Sequence, residues 1–466
     1  MTTTDIAQLS IAEAAALIGK RKLSPVELTE SCMQRIGSLD GRLRAFITVT
    51  REDALAAAQQ AATAIAGGNY KGPLHGIPIA LKDLFDTAGV PTTAGSKIMA
   101  ERVPTEDAEV TVRLKAAGAV LLGKLNMHEF AFGITGVNPH YGGTYNPWDT
   151  TRMSGGSSSG AGAALASAMT LGALGTDTGG SIRTPASLCG ITGLKPTYGR
   201  VSRRGITPLS WALDHAGPMA RSAADAAIIL KVIAGHDPQD ETSSEEPVPD
   251  YTKALTDQRL KHLRIGVPQE YFFDNVDDEV LKAIHAAILV LRDDLKAGVS
   301  EVSLPLIAEA PAAVSAIMLP EALAYHKRWL AERPQDYGED VRARLEMGLL
   351  YPAVSYVQAQ RFRSLIVEEW RQKVFDRVDL LAVPTTPVPA PSLDENDLQT
   401  TLTLTRFTGP FNLTGLPAIS IPCGFTKGGL PIGMQLVGRW WDEATVLRAA
   451  HAYQQATDWH KRAPPL

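Results

Sequence analysis

The chain opens with polar and apolar positions spaced for helices. Ser24-Pro25-Val26-Glu27 sets an N-cap, a proline at the first helical position and a capping-box acid in a row. Ser10 and Glu13 repeat that start. Residues 51–66, REDALAAAQQAATAIA, read as an alanine-rich helix closed by Gly67-Gly68. Residues 1–66 are therefore expected to form an N-terminal helical segment.

The pattern then changes to short apolar runs alternating with helices. GIPIALKD (76–83), AGAVLLGKLN (117–126), LGALGT (171–176), VDLLAV (378–383), AISIPCG (418–424) and LPIGMQLVG (430–438) predict buried strands. Residues 106–116, 443–457 and most of 308–375 predict helices. Strands of this kind imply a sheet covered by helices on both faces, an α/β fold. The acidic, proline-containing stretch 237–250 reads as a solvated loop. With no repeat and no clear linker, residues 1–466 read as one large domain. Residues 72–220 hold its candidate chemistry, and 308–375 form a helical insert.

Composition narrows the setting. Of 466 residues, 45% are hydrophobic and 20% charged, enough for a large core. Net charge is −5 with both signs interspersed, so no basic stripe points to nucleic acid or membrane. Three scattered cysteines (Cys32, Cys189, Cys423) support neither a disulfide framework nor a zinc site. The N-terminus lacks the basic start and apolar run of a signal peptide, and the cytoplasm is the expected compartment. Met153 to Thr176 carries no charge over 24 residues, but it is rich in Gly, Ser and Ala. It is read as buried in the protein and not as a membrane span.

Two serine-rich stretches bracket that segment, SGGSSSGAG (154–162) and GTDTGGSIRTPASLCG (175–190). A helix over 159–170 would span roughly 18 Å. The strand LGALGT would run back over about the same length. Ser157 and Ser181 then meet at one end of the sheet, where open α/β sheets place their ligands. A serine attacks an acyl carbon only if a base takes its proton, and the resulting oxyanion needs donors already aimed at it. Gly179 and Gly180 can turn their N–H groups inward, and with the N–H of Ser181 they make a credible oxyanion hole. Asp177 and Arg183 flank the turn and are placed to pair. Two bases are open: His215, the nearest downstream histidine, and Lys82, a charge ending the apolar run IPIAL. Burial lowers a lysine pKa, as a lysine base requires, although a lysine snorkelling from a strand end fits the same pattern.

Two formal motif matches fail on context. Gly156 to Gly160 spells GxSxG, but no strand precedes it as a nucleophile elbow requires. Gly118 to Lys124 matches most of a P-loop, but Leu125 stands where a magnesium-binding Ser or Thr belongs.

The segment 155–202, GGSSSGAGAALASAMTLGALGTDTGGSIRTPASLCGITGLKPTYGRVS, closely resembles the signature of the amidase signature family. The resemblance extends over GPLHGIPIALKDLFDTAGVPTTAGS (72–96), LNMHEFAFG and NPWD. It resumes at DLLAVPTTPVPAP and NLTGLPAISIPCGF near the C-terminus. It implies a large mixed β-sheet sandwiched between helices and a Ser–cis-Ser–Lys triad. Residue by residue, it implies that Ser181 is the nucleophile and that Ser157, after a cis peptide from Gly156, relays its proton to neutral Lys82. It further implies an oxyanion hole from the N–H groups of Thr178, Gly179, Gly180 and Ser181, with Asp177 and Arg183 as braces. No metal or organic cofactor is implied.

Two kinds of amidase fit. The first is a stand-alone hydrolase of amides, extending to esters, anilides or carbamates, with a small-molecule substrate, no nucleic acid or membrane partner, and a homodimer as the family-level assembly. The second is the amide-cleaving component of a tRNA-dependent amidotransferase, which passes ammonia to a partner. That component usually reads NMDEFAMG where this chain has NMHEFAFG (126–133), and the acid expected in TLTLTRFTGPFNLTG is absent. These differences favour the stand-alone reading. Met127, His128 and Phe130 are candidate pocket residues, with packing the alternative for His128. Met318, Leu319, Tyr325, Trp329, Leu349 and Tyr351 either wall the pocket or form helix core. A pocket so lined would favour an apolar or aryl substrate.

Overall fold

The computed structural model describes residues 6–256 and 260–466. The first two helices, α1 (Ile11–Gly19) and α2 (Pro25–Leu43), both begin with a complete capping box, Ser10 with Glu13 and Ser24 with Glu27. Each box satisfies two backbone donors that the first turn leaves open. The N-terminal stretch is not wholly helical, however. β1 (Phe46–Val49) interrupts it before α3 (Arg51–Ala66), and residues 1–5 lie outside the described residues.

The next elements carry the site. They are β2 (Pro78–Lys82), α4 (Glu109–Ala116), β3 (Val120–Leu125), the small ribbon β4 (Tyr145–Asn146) and β5 (Asp149–Met153), α5 (Ser159–Ala166), β6 (Gly172–Asp177) and α6 (Arg183–Cys189). β7 (Thr192–Lys195), β8 (His215–Ala220), α7 (Ala223–Ile233), β9 (Arg264–Pro268), α8 (Asp278–Leu289) and β10 (Gly298–Val302) follow. Three helices follow, α9 (Ala310–Glu332), α10 (Glu339–Met347) and α11 (Ala353–Lys373). The chain closes with β11 (Leu380–Pro384), α12 (Leu398–Thr405), α13 (Gly409–Leu413), β12 (Ala418–Phe425), β13 (Pro431–Gly438) and α14 (Glu443–Ala456).

Eleven strands form one mixed sheet, in the order β1-β3-β2-β6-β8-β7-β12-β13-β11-β9-β10. β2 runs parallel to both β3 and β6, and β6 runs antiparallel to β8, so parallel and antiparallel pairs meet at the centre. Helices sandwich this sheet. The central strands β2, β6, β8, β11 and β13 are buried at every residue, which is why such strands carry small or apolar residues without alternation.

α5 ends at Ala166, shorter than the pattern predicts. Ser167 turns its hydroxyl back to the carbonyl of Ala163 at 2.6 Å, and Ala168 takes a left-handed φ of 54°. The reversal into β6 still brings the two serine-rich loops together. The N–H of Ser158 donates to the carbonyl of Ser181 at 3.2 Å. The P-loop look-alike is strand β3. Its Lys124 is buried and donates to the Phe85 carbonyl at 2.8 Å and to Thr92 Oγ1 at 2.6 Å. The uncharged stretch 153–176 lies inside the protein, buried at every position except Ala166. Among the described residues, one helical stretch, Ile307–Glu332, is long and apolar enough to cross a membrane, and half of its most apolar window is buried in the protein.

Candidate active site

β2 delivers Lys82 to the centre of the sheet with no exposure to solvent. Its Nζ lies 2.7 Å from Ser157 Oγ and 2.8 Å from Thr176 Oγ1. Burial lowers the lysine pKa to about 7, against the opposing pull of the Asp214 and Asp177 charges. A neutral amine is thus accessible at ordinary pH. The peptide between Gly156 and Ser157 is cis, and the Ser157 carbonyl accepts the N–H of His128 at 3.1 Å. Thr176 is a lysine partner that sequence reading misses, although it sits one residue before the Asp177 of the quoted turn.

Ser181 follows the end of β6 and faces a cavity of about 770 Å3 together with Thr178 and Gly179. Asp177 organises the turn from within. Its carboxylate accepts the N–H groups of Gly180 at 2.8 Å and Ile182 at 3.1 Å. Arg183 clamps it with Nη2 at 2.8 Å and Nε at 3.0 Å. Burial alone would raise the Asp177 carboxyl, but the Arg183 charge and hydrogen bonds hold it well below the usual carboxylate range. Two further residues complete the brace. Asn412 Nδ2 donates to Asp177 Oδ1 at 2.8 Å, and Gln435 Oε1 accepts from Arg183 at 2.6 Å. They come from α13 and β13, far along the chain, so local spacing carries no signal for them.

This brace corrects the expected oxyanion hole. The N–H of Gly180 is spent on Asp177 and does not face the cavity. Gly180 instead supplies a backbone φ of +136° in a place where a Cβ would collide with Thr408 Oγ1. Among the described residues, the N–H groups of Thr178, Gly179 and Ser181 donate to no protein acceptor.

His215 makes no hydrogen bond to either serine and is set aside as the base. It is buried in β8, its Nδ1 lies 2.7 Å from the Leu213 carbonyl, and burial holds its pKa well below the ordinary value. Met127, His128 and Phe130 are also corrected, because none of them lines the cavity. They lie one layer behind it. His128 Nε2 lies 2.9 Å from Asp340 Oδ2, and Phe130 packs edge-on to His326. The wall in front of them is Ala131 to Ile134. Of the helical candidates, Met318, Leu319 and Tyr351 line the cavity. Tyr325 and Trp329 pack in an aromatic cluster, and Leu349 is exposed. Sequence reading also misses Arg344 on α10, which reaches the cavity wall and pairs with Asp340 at 2.8 Å. A smaller cavity of about 290 Å3 lies elsewhere around the site, lined by Thr176, Arg203, Asp214 and His215 among others.

Comparison with known proteins agrees with this architecture and changes its functional reading. Residues 27–447 match the family model described as Amidase. The chain is 46% identical to the glutamyl-tRNA(Gln) amidotransferase A-subunit of Chloroflexus aggregans, over 99% of both chains. It superimposes with a TM-score of 0.83 and 34% identity on the component of the same name from Thermotoga maritima, covering 97% of this chain and 96% of that one. A TM-score of 0.91 with 39% identity relates it to a structure described as an unexpected vestigial protein complex revealing the evolutionary origins of an s-triazine catabolic enzyme. That match covers 96% of this chain and 98% of the other.

The amidotransferase relatives overturn the expectation of a stand-alone hydrolase, and with it the expectation of small-molecule partners only and no nucleic acid. The local departures that suggested it concern few positions, and one of them, His128, is a wall-backing residue that does not reach the cavity. Similarity over the whole chain outweighs them. A fold built around this buried lysine and serine-bearing turn, matched over most of its length, makes the chain an amidase-type enzyme acting on C–N bonds: it belongs to the amidase family.

Proposed function

We propose that this chain is the amide-cleaving component of a tRNA-dependent amidotransferase, releasing ammonia from an amide donor for use by a partner protein. The observation that carries this reading is 46% identity along 99% of both chains to a protein of that name. Ser181 serves as nucleophile. Its proton passes through Ser157 to neutral Lys82, whose 2.7 Å contact with Ser157 suits that transfer. The oxyanion is met by the three unspent N–H groups of Thr178, Gly179 and Ser181. The relay then returns the proton to the leaving nitrogen, ammonia departs, and water resolves the acyl-enzyme by the same route in reverse.

Two features of the cavities support the reading. Arg344, already paired with Asp340, sets a guanidinium in the wall that a donor bearing a carboxylate would meet. Thr176, which touches Lys82, also borders the second cavity, and we assign that cavity to the departing nitrogen product. The test is ammonia release from glutamine and asparagine, measured for the chain alone and for the assembly that co-purifies with it from its native cell. Release enhanced in the assembly and lost in Ser181→Ala is expected. Equal turnover by the chain alone, with no co-purifying protein, counts against the proposal.

A further inference from the structure

The turn that carries Ser181 is held at both ends, by two different carboxylates. Asp177 grips the far half, Gly180 to Arg183. The near half begins at Thr178, whose N–H is one of the unspent donors. Its hydroxyl donates to Asp214 Oδ1 at 2.6 Å, a short charge-assisted bond. Asp214 comes from the loop before β8 and belongs to no motif found in the sequence. Its own position is fixed, because Oδ2 accepts the N–H groups of Leu209 at 2.9 Å and Ser210 at 3.1 Å. Ser210 is anchored in turn, its hydroxyl donating to Glu321 Oε2 of α9 at 2.5 Å. A line of hydrogen bonds therefore runs from α9 to the first donor of the oxyanion turn.

We propose that Asp214 is a positioning residue: through Thr178 it aims the near end of the oxyanion turn at the carbonyl that Ser181 attacks. A backbone N–H stabilises an oxyanion only when its direction is set before the charge develops. Asn412 Nδ2 holds the Asp177 carbonyl at 2.8 Å and Thr408 Oγ1 holds the Gly179 carbonyl at 2.5 Å. Among the described residues, however, the peptide between Thr178 and Gly179 makes no hydrogen bond of its own, so the Thr178 side chain is the anchor next to the peptide freest to rotate. Asp214 has a second effect through its charge. Lys82 is faced by two carboxylates, Asp214 from the loop before β8 and Asp177 from the end of β6, and both favour its protonated form. Asp214 is itself faced by Arg203. Neutralising Asp214 should therefore make Lys82 easier to deprotonate.

This proposal rests on Ser181 as nucleophile but not on the identity of the amide donor. The probe is an alkyl fluorophosphonate applied to the full chain. Ser181 Oγ bonds to phosphorus, the P–F bond breaks, fluoride leaves, and the hydroxyl proton passes through Ser157 to Lys82, while the P=O oxygen takes the oxyanion position. Labelling rates are compared for the wild type, Thr178→Val, Thr178→Ser, Asp214→Asn and the double variant Asp214→Asn/Thr178→Val. Thr178→Val is expected to label about 10–100-fold more slowly, with Thr178→Ser restored to near the wild-type rate. Asp214→Asn is expected to slow labelling similarly and to move the acid limb of its pH profile to lower pH, which a purely structural role would not do. The double variant should be no slower than the slower single one.

Wild-type rates in Thr178→Val, no recovery in Thr178→Ser, or multiplied losses in the double variant overturn the proposal. If Asp214→Asn fails to fold, the Thr178 pair decides alone, since it leaves the buried charge in place. A wild-type chain that takes no label overturns the nucleophile assignment itself, a result distinct from all of these.

Discussion

Arg183 and Asp177 form a fork-shaped pair, with hydrogen bonds of 2.8 and 3.0 Å, at a site where neither side chain touches solvent. The pair holds the turn that presents Ser181, so its loss bears on stability as well as on activity. Arg183→Met leaves a buried carboxylate without its cation, a change that costs about 3–5 kcal/mol. Urea unfolding should show a destabilisation of that order at pH 7. Because the Asp177 pKa is depressed in the folded state, the wild-type contribution is present above the ordinary carboxylate range and fades as pH falls below it. The difference between variant and wild type should shrink in acid.

In the proposed proton relay, Lys82 sets the pH dependence of Ser181 acylation. It must be neutral to receive the proton from Ser157, and its pKa lies at about 7. The rate of Ser181 acylation should therefore rise with pH and level off above a midpoint near that value. A midpoint near that of an ordinary lysine would contradict the role given to burial.

The same burial costs stability. Below the folded-state pKa the protonated amine is held in an apolar setting, whereas the unfolded chain keeps it in water with its ordinary pKa of 10.5. Lys82→Met should abolish activity yet stabilise the fold by about 3 kcal/mol near neutral pH, after allowing for two lost hydrogen bonds. The gain should fall as pH rises towards the ordinary lysine value, where the wild-type fold no longer forgoes a proton that the unfolded chain binds. Thermal melts from neutral pH up to that value read this directly.

Gly180 has no substitute in this turn. Gly180→Ala places a Cβ against Thr408 Oγ1 at a backbone φ of +136°. The Gly180 N–H would leave Asp177, and the turn would re-form elsewhere. Moving the turn displaces the N–H groups of Gly179 and Ser181 on either side of it, so acylation is expected to fall by about 100-fold or more, the scale of losing one oxyanion donor. Near-wild-type acylation would mean that the turn tolerates a rearranged backbone.

What is legible in the chain is local or contiguous. The capping boxes at Ser10 and Ser24 depend on residues three apart, and β2, β3 and β13 lie in largely apolar runs. β8 escapes sequence reading because Gly217 and Pro218 look like turn residues, whereas the strand is buried on both faces and needs small side chains. Placing Met127, His128 and Phe130 in the pocket fails for a related reason. Ala131 takes a left-handed φ of 58°, and Gly133 lies so close to His128 that the segment doubles back. The cavity therefore meets the second half of the segment and not the first. Asn412, Gln435 and Asp214 reach the site only through the fold. The choice between free hydrolase and amidotransferase component is not legible, because both readings use the same lysine and serines and differ in what receives the nitrogen.

That receipt is the most direct thing to measure. The assembly co-purified with the tagged chain should transfer the amide nitrogen of glutamine to glutamate carried on tRNA(Gln). Ser181→Ala should abolish transfer from glutamine while leaving transfer from added ammonium salt intact, because ammonia then bypasses the chain. An assembly without transfer activity, or transfer from glutamine that survives Ser181→Ala, would contradict the account.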